Sequence, residues 1–369
     1  MRRDEREVNS EMKPVVMVYG FWGQNIGNAF FNVGGHSVLS QIFGEENVLR
    51  FQDQPGYRTF HRKRRGNPHN DAGLLSYVNA RCVVLQGPML TATFEKLWAP
   101  TFRAYQERGT KIILLGAALF RFSEEEIVAA TSFLRRYPVD VVITRDHDSY
   151  EALSAAGICD HIYSGIDSAF FAPDAVAPVP LDLSAFFTFT FDRFPEPRIK
   201  IDAPNDGQLR SFEFLDHTWV LKDAPLQSRF ANFGKWQAYI GHLLDRRQLP
   251  ESLLGHRIFR GEHRFNPHIP WKIYQHANAF ASDEPFTYLS MYAQSELTLS
   301  DRVHACVATL AYGRPAMLFT QSPRSRLFDR VGLSEIRERP VVLNSDYLSE
   351  EKAKEIAFLE NAVDNLRLR

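Results

Sequence analysis

Arg302 and His304 stand two residues apart in the run Ser300-Asp301-Arg302-Val303-His304, just ahead of the apolar segment 305–311. A guanidinium offers a planar fork of donors that matches a carboxylate or phosphate, and an imidazole moves protons near neutral pH. With Ser300 or Asp301 as cap, both side chains fall in the first turn of a helix, whose N-terminus attracts anions. Three other segments carry related chemistry. Arg145 and Asp146 end the apolar run 139–144, and Arg324 and Arg326 follow the run 315–319. Asn25 and Asn28 sit in the loop Gly23-Gln24-Asn25-Ile26-Gly27-Asn28, where glycine lets backbone approach a ligand and the amides can donate to an anion. Arginines and a histidine converging on one crevice specify a small, multiply anionic ligand. They do not by themselves name a reaction.

These segments need a scaffold that brings them together. Short apolar runs alternate with helix-length amphipathic stretches, the pattern of an α/β protein. Strands are expected at 15–21, 47–51, 81–86, 111–115, 139–144 and 161–165, and again at 185–191, 256–260, 296–300 and 315–319. Helices are expected near 236–247, 271–280 and 303–312, with a charged amphipathic helix over 349–365. Ser123 with Glu126, and Asp148 with Glu151, have the spacing of capping boxes. Gly157 suits the end of the second of these helices. The segment 172–180, with three prolines, reads as a linker, and 192–209 as a polar, proline-rich loop. The expected layout is two Rossmann-like domains, 14–175 and 181–345, facing across a cleft, followed by a C-terminal helix in 346–369. In open sheets of this kind ligands bind beyond the carboxyl ends of the strands, where each of the four segments lies.

Composition narrows the function. The chain has 369 residues, 44% hydrophobic and 24% charged, values of an ordinary globular protein. Forty-three Lys and Arg against 44 Asp and Glu argue against a dedicated nucleic-acid binder. No run of about 18 apolar residues predicts a membrane span, and the charged first residues lack the apolar core of a signal peptide. Cys82, Cys159 and Cys306 are far apart, which suits reduced thiols in a cytoplasmic protein. The glycines of the first loop fit neither a dinucleotide nor a P-loop fingerprint, and the histidines lack zinc-ligand spacing. Asp146-His147-Asp148 matches a metal-binding DxD, against which stands the ordinary role of acids at a helix start. The basic run 61–65 is either a solvated loop or a contact for an anionic acceptor or membrane surface. The segment Arg257 to His268 carries Arg260, His263 and Arg264 past a strand end, either into the cleft or onto the surface.

Four stretches in order, GFWGQNIGNAF, TRDHDSYEALSAAGI, GIDSAFF and SDRVHACVATLAYGRPAMLF, resemble the polysaccharide pyruvyl transferase family. The resemblance implies a two-domain, GT-B-like architecture with an N-terminal acceptor side and a C-terminal donor side. It also implies transfer of the enolpyruvyl carbons of phosphoenolpyruvate onto a sugar as a ketal, with release of phosphate. His304 would protonate the methylene carbon, while Arg145 and Arg302 would hold the donor's carboxylate and phosphate. Arg324 falls where the family tends to place a lysine for the phosphate, and GIDSAFF resembles the strand closing the first half. Asn25, Asn28, Asp146, Arg324 and Arg326 are the expected substrate-binding residues, and no metal or cofactor is required. The acceptor would be a sugar or lipid-linked glycan, reached in the cytoplasm or at the inner membrane face. Where the family commonly has an acid after Asn-x-Gly, this chain has Asn28. The acceptor's base would then be Asp146, Asp301 or His36, or Asn28 would only position the sugar. Two other functions fit the residues: a glycosyltransferase using a nucleotide sugar, with Arg302 and Arg324 on the diphosphate, and a non-catalytic glycan-binding relative.

Overall fold

The computed structural model describes residues 13–20, 25–52, 73–192, 194–205, 207, 209–222, 247–263, 276–320 and 322–369. The first half is built on β1 (Val15–Val18), β2 (Val48–Phe51), β3 (Cys82–Gln86), β4 (Lys111–Ala117), β5 (Val141–Thr144) and β6 (His161–Ser164). They form one parallel sheet in the order β2-β1-β3-β4-β5-β6. β1, β3 and β5 are buried along their whole length, as parallel strands covered on both faces must be. The covering helices are α1 (Gly27–Phe43), α2 (Phe94–Arg108), α3 (Glu124–Arg136) and α4 (His147–Ala155). Because the chain winds outward in opposite directions from β1 and β3, a crevice opens at their carboxyl ends. The loop carrying Asn25 leaves β1 at that point.

The second half holds β7 (Phe186–Thr190), β11 (Ser252–Leu253), β12 (His256–Gly261), β13 (Ala279–Phe280), β14 (Leu297–Ser300) and β15 (Ala316–Leu318). Their order is β11-β12-β7-β14-β15, with β13 beside β12, and every pairing is parallel except the β11–β12 hairpin. Helices α5 (Pro285–Gln294), α6 (Val303–Ala311), α7 (Arg326–Arg330) and α8 (Ser345–Asn365) complete this half. The fold is thus α/β with two parallel sheets, as the alternation of apolar runs predicts.

Local assignments differ in several places. The proline-rich stretch 192–209 contains β8 (Arg198–Ile201), which joins β9 (Arg210–Phe214) and β10 (His217–Lys222) in a small antiparallel sheet. Its β9–β10 turn uses Leu215 and Asp216, both at positive φ, so the Asn-Gly signal of such hairpins is missing. Residues 276–280 of the helix expected at 271–280 form a turn and β13; the rest of it lies outside the described residues, as does the helix expected near 236–247 but for Arg247. Asp146, not Asp148, caps α4, accepting from the Ser149 amide at 2.8 Å. Ser123 caps α3, but Glu126 turns its carboxylate on the amides of Phe120, Arg121 and Phe122 instead of closing the box. GIDSAFF is not a strand: Asp167 caps a 3-10 turn, Ser168–Phe171, which runs into the short helix Ala172–Ala175.

The two halves share one apolar layer. α1 lies between the first sheet and helices α5 and α6, and Phe30 meets the rings of Tyr288 and Tyr292 at 6.4 and 6.1 Å. Burying a phenylalanine so fully contributes roughly 1.5–3 kcal/mol. α1 also lies against the turn after β6. A Cβ on Gly34 would stand 1.9 Å from the Ser168 carbonyl oxygen, so only glycine allows this approach. α8 begins at Ser345, one turn before the expected position, with Asn344 as its cap. It returns to the first half, where Phe358 stacks on Tyr163 at 4.8 Å and Lys352 pairs with Asp174. No helix among the described residues is long and apolar enough to cross a membrane.

Candidate functional site

The strand ends of both sheets meet at one cluster. Arg145 leaves β5 and turns inward, and its Nη1 donates to Asp167 Oδ2 at 2.7 Å, with both side chains buried. The partner is therefore Asp167 from the GIDSAFF turn, not the neighbouring Asp146 or Asp148. His304 comes from the first turn of α6, across the boundary between the halves. Its Nε2 stands 3.4 Å from Asp167 Oδ2 and 3.5 Å from Arg145 Nη1. These contacts are long for charge-assisted hydrogen bonds, whereas the Arg145–Asp167 bond is fully formed. A rigid ion pair thus backs an imidazole that is only loosely held. Phe31 supports the other side of the ring, its centroid 5.3 Å away. Burial alone would raise the carboxyl of Asp167, but His304 and Arg145, with the Ala169 amide, hold it well below the usual carboxylate range.

Arg302 starts the same helix but is not turned toward this pair. It forms an ion pair with Asp192, which follows β7, and stands 3.7 Å from Asp301. Asp192 also accepts from the His263 amide at 2.8 Å. Despite its burial, Arg302 and the His263 amide keep the carboxyl of Asp192 below its ordinary value. Neither Ser300 nor Asp301 caps α6: Arg302 itself occupies the cap position with no side-chain cap bond, Ser300 accepts from the Arg302 amide, and Asp301 receives the Phe194 amide.

Within the described part of the 257–268 segment, His263 enters the site. It lies just past the end of β12, buried, with Nε2 2.5 Å from the Tyr292 hydroxyl, and Tyr292 reaches on to Thr190 at 3.1 Å. Burial lowers the imidazole of His263 to about 3, so the ring is neutral under working conditions. Its carbonyl receives the Ile26 amide at 2.8 Å, tying β12 to the start of α1. Gly27 is set into this joint: a Cβ there would lie 3.1 Å from both His263 Nδ1 and His304 Cβ. Arg260 goes elsewhere, into a buried two-bond pair with Glu196 at 2.9 and 3.0 Å. Arg264 and the basic run 61–65 lie outside the described residues.

The start of α1 supplies polar groups without a charged side chain. Ile26 occupies the cap position and gives no side-chain hydrogen bond, and no acid lies in the first turn. Asn25 donates to Asn28 at 3.3 Å, and Asn32 fixes the loop through the carbonyls of Gly20 and Asn28. The helix thus presents its amide end, with two asparagines, beside His304 and His263, an arrangement suited to an anion or a sugar hydroxyl.

The remaining expected residues are placed differently. Asp146 is a buried helix cap bonded to Ser149, its carboxyl raised chiefly by burial. Asp148 diverges from it to pair with Arg326. Arg326 also lies over the Phe122 ring at 4.2 Å, beside a depression lined by His147, Asp148, Asp329 and Arg330. Arg324 lies over Phe120 at 4.0 Å. Both arginines thus rest on the 120–122 loop that Glu126 holds in shape. His36 is half-buried on α1, its Nδ1 3.4 Å from Ser40.

Behind Asp167 stands a residue that sequence reasoning missed, Glu355 of α8. It is fully buried and accepts the Ile166 amide at 2.7 Å, and burial raises its carboxyl to about 8. The native state therefore keeps a proton that the unfolded chain releases near its ordinary value of 4.5. Stability is full below that value and falls by about 1.4 kcal/mol per unit as pH rises toward the folded one. Glu355→Gln keeps the neutral form, so urea unfolding at pH 5 and pH 8 is expected to show a smaller loss than in the wild type. An equal loss would mean the carboxyl is ionised in the native protein.

The polysaccharide pyruvyl transferase family matches residues 25–323 of the chain. No curated protein matches it. Among solved structures, a UDP-N-acetylglucosamine 2-epimerase is similar with TM-score 0.50 and 9% identity, covering 97% of each chain. S. aureus MnaA, solved with UDP, gives TM-score 0.49 and 11% identity over 94% of this chain and 88% of that one. The UDP-N-acetylglucosamine 2-epimerase of Rickettsia bellii gives 0.46 and 14% over 96% and 98%. At such identities the first of these speaks for the fold alone, a GT-B-like pair of Rossmann-like domains.

Proposed function

Since the chain belongs to the polysaccharide pyruvyl transferase family, we propose that it moves the pyruvyl group of phosphoenolpyruvate onto a sugar of a polysaccharide precursor as a ketal. The observation that carries this reading is His304 set against the buried Arg145–Asp167 pair at the meeting of the two halves. An imidazole held loosely at one nitrogen can exchange that contact for the substrate methylene. His304 gives its proton to C3, which becomes the methyl carbon, and C2 becomes electrophilic. One sugar hydroxyl adds to C2, the bond from C2 to the phosphate oxygen breaks, and a second hydroxyl closes the ketal. Of the two hydroxyl protons, one restores His304 and the other leaves with phosphate.

In this reading the donor lies on the 181–345 side and the acceptor on the 14–175 side. Arg145 provides fixed positive charge for the carboxylate. Arg302 serves the phosphate when Asp192 shares it, and Arg324 and Arg326 extend the cationic rim. Asn25 and Asn28 hydrogen-bond the sugar. The donor places the reaction in the cytoplasm, or at the inner membrane face if the acceptor is lipid-linked.

The test is thermal unfolding with phosphoenolpyruvate, UDP, GDP and inorganic phosphate, followed by phosphate release with the methyl glycosides of galactose, glucose and mannose. At 100 times its dissociation constant, a ligand of the native state adds about 2.7 kcal/mol. Stabilisation by phosphoenolpyruvate and sugar-dependent phosphate release are expected. Stabilisation by a nucleotide alone would replace this reading with glycosyl transfer.

A further inference from the structure

The ketal reaction needs a group that accepts the hydroxyl proton, and Asn28, an amide, cannot do so. Among the described carboxylates around the cluster, four are already committed. Asp167 pairs with Arg145, Asp192 pairs with Arg302, Asp146 caps α4, and Asp301 holds the Phe194 amide. Asp167 and Asp192 are held below their ordinary values by their cationic and amide partners, which makes them weak bases.

Glu262 differs. It is the first residue beyond β12, half-buried, and among the described residues its carboxylate has no hydrogen-bond or ion-pair partner. Its backbone is fixed on three sides. Its carbonyl receives the Tyr288 hydroxyl at 2.5 Å, and the next residue's amide is bound to Asp192. That residue's carbonyl in turn holds the Ile26 amide at the start of α1. Glu262 is therefore carried at the joint where Asn25 and Gly27 meet His263 and His304.

We propose that Glu262 is the general base of the transfer, taking the proton of the first sugar hydroxyl as that oxygen bonds to C2. The proposal rests on the pyruvyl-transfer reading above. Glu262 returns the proton to the departing phosphate, and the second hydroxyl, closing the ring, gives its proton to His304. The catalyst ends as it began. Asn28 then only orients the hydroxyl.

The groups facing Glu262 tune it for the task. Burial is the larger influence and the Asp192 anion the next, with Arg302 opposing them; together they lift the carboxyl from 4.5 to about 7. Tyr288 acts on its backbone, and the neutral His263 beside it brings no charge. A base poised near neutrality beside carboxyls held low is the division that acid–base catalysis requires.

The test uses Glu262→Gln and Glu262→Asp in the full chain. The difference between carboxyl carbon NMR spectra of 13C-glutamate-labelled wild type and Glu262→Gln gives the titration of this one group. Phosphate release from phosphoenolpyruvate with methyl galactoside gives the rate. A titration near neutral pH is expected, with turnover lowered about a hundredfold in Glu262→Gln, the acid limb of the profile removed, and part of the rate restored in Glu262→Asp. A carboxyl titrating near 4.5, or turnover in Glu262→Gln within threefold of wild type with the limb intact, overturns the proposal. Thermal stabilisation by phosphoenolpyruvate separates the two ideas. If neither wild type nor variant responds to it, the donor is wrong; if both respond and Glu262 titrates as an ordinary carboxyl, only the base is wrong.

Discussion

His304→Gln is expected to lower phosphate release from phosphoenolpyruvate by about 10²- to 10⁴-fold, the range of a general acid removed from its substrate. Glutamine keeps a polar tip beside Arg145 and Asp167 but carries no proton to give. The fold is expected to hold, because the Arg145–Asp167 bond does not pass through the ring. Binding of phosphoenolpyruvate, followed by thermal shift, is expected to stay within a few-fold of wild type. In deuterium oxide the wild type should place one solvent deuterium in the product methyl group, and the variant should do so only at its residual rate. Loss of binding together with rate would instead make His304 a donor ligand.

Much of this site can be read along the chain. Arg145 sits directly after the apolar run that becomes β5 and His304 four residues past β14, and strand ends of parallel sheets are where ligands gather. Their partner is harder to find. Asp167 lies between an isoleucine and a serine in a short turn, and its role as the cap of Ser168–Phe171 explains it without any site. Only the fold brings it under Arg145. Asp192 is hidden for the same reason, and His263 stands out only as one of three basic residues of its segment: each follows a strand by two residues, and nothing local tells which loop residue turns inward. Arg260 and His263 illustrate the ambiguity, since both are basic and only three positions apart. Arg260 is within β12 and is drawn to Glu196, whereas His263 has passed its end.

The arginines past β15 are placed by contacts that their own segment does not reveal. Their charge invites a phosphate, yet each has a ring beneath it, Phe120 or Phe122, on a loop shaped by the distant carboxylate of Glu126. The start of α4 shows how close spacings mislead. Asp146–Ser149 and Asp148–Glu151 are both plausible caps, and the strand β5 ends early enough for the first to be used. The turn after β6 holds opposite solutions on its two sides, with Asp167 charged beside Arg145 and His304 and Glu355 neutral beneath Ile166.

Asp167→Asn is expected to cost about 3–5 kcal/mol, because it strips the buried Arg145 guanidinium of its counter-charge. The amide has the right shape but can no longer balance the charge. Turnover should fall as well, since His304 then faces Arg145 with no anion between them. A second variant separates charge from folding. Arg145→Met with Asp167→Leu removes both ions, and stability should recover much of the loss while activity does not. The pH dependence follows from the depressed carboxyl of Asp167. The unfolded chain takes up a proton near the ordinary value of about 3.9, and the native state does so only at lower pH. The ion pair's contribution is therefore fully present above that ordinary value and is lost as pH falls through the folded one. Urea unfolding between pH 5 and pH 2.5 should show wild type losing stability more steeply than the Asn variant, so that their difference shrinks. Parallel curves would mean that Asp167 gains nothing from Arg145 and His304 in the native protein.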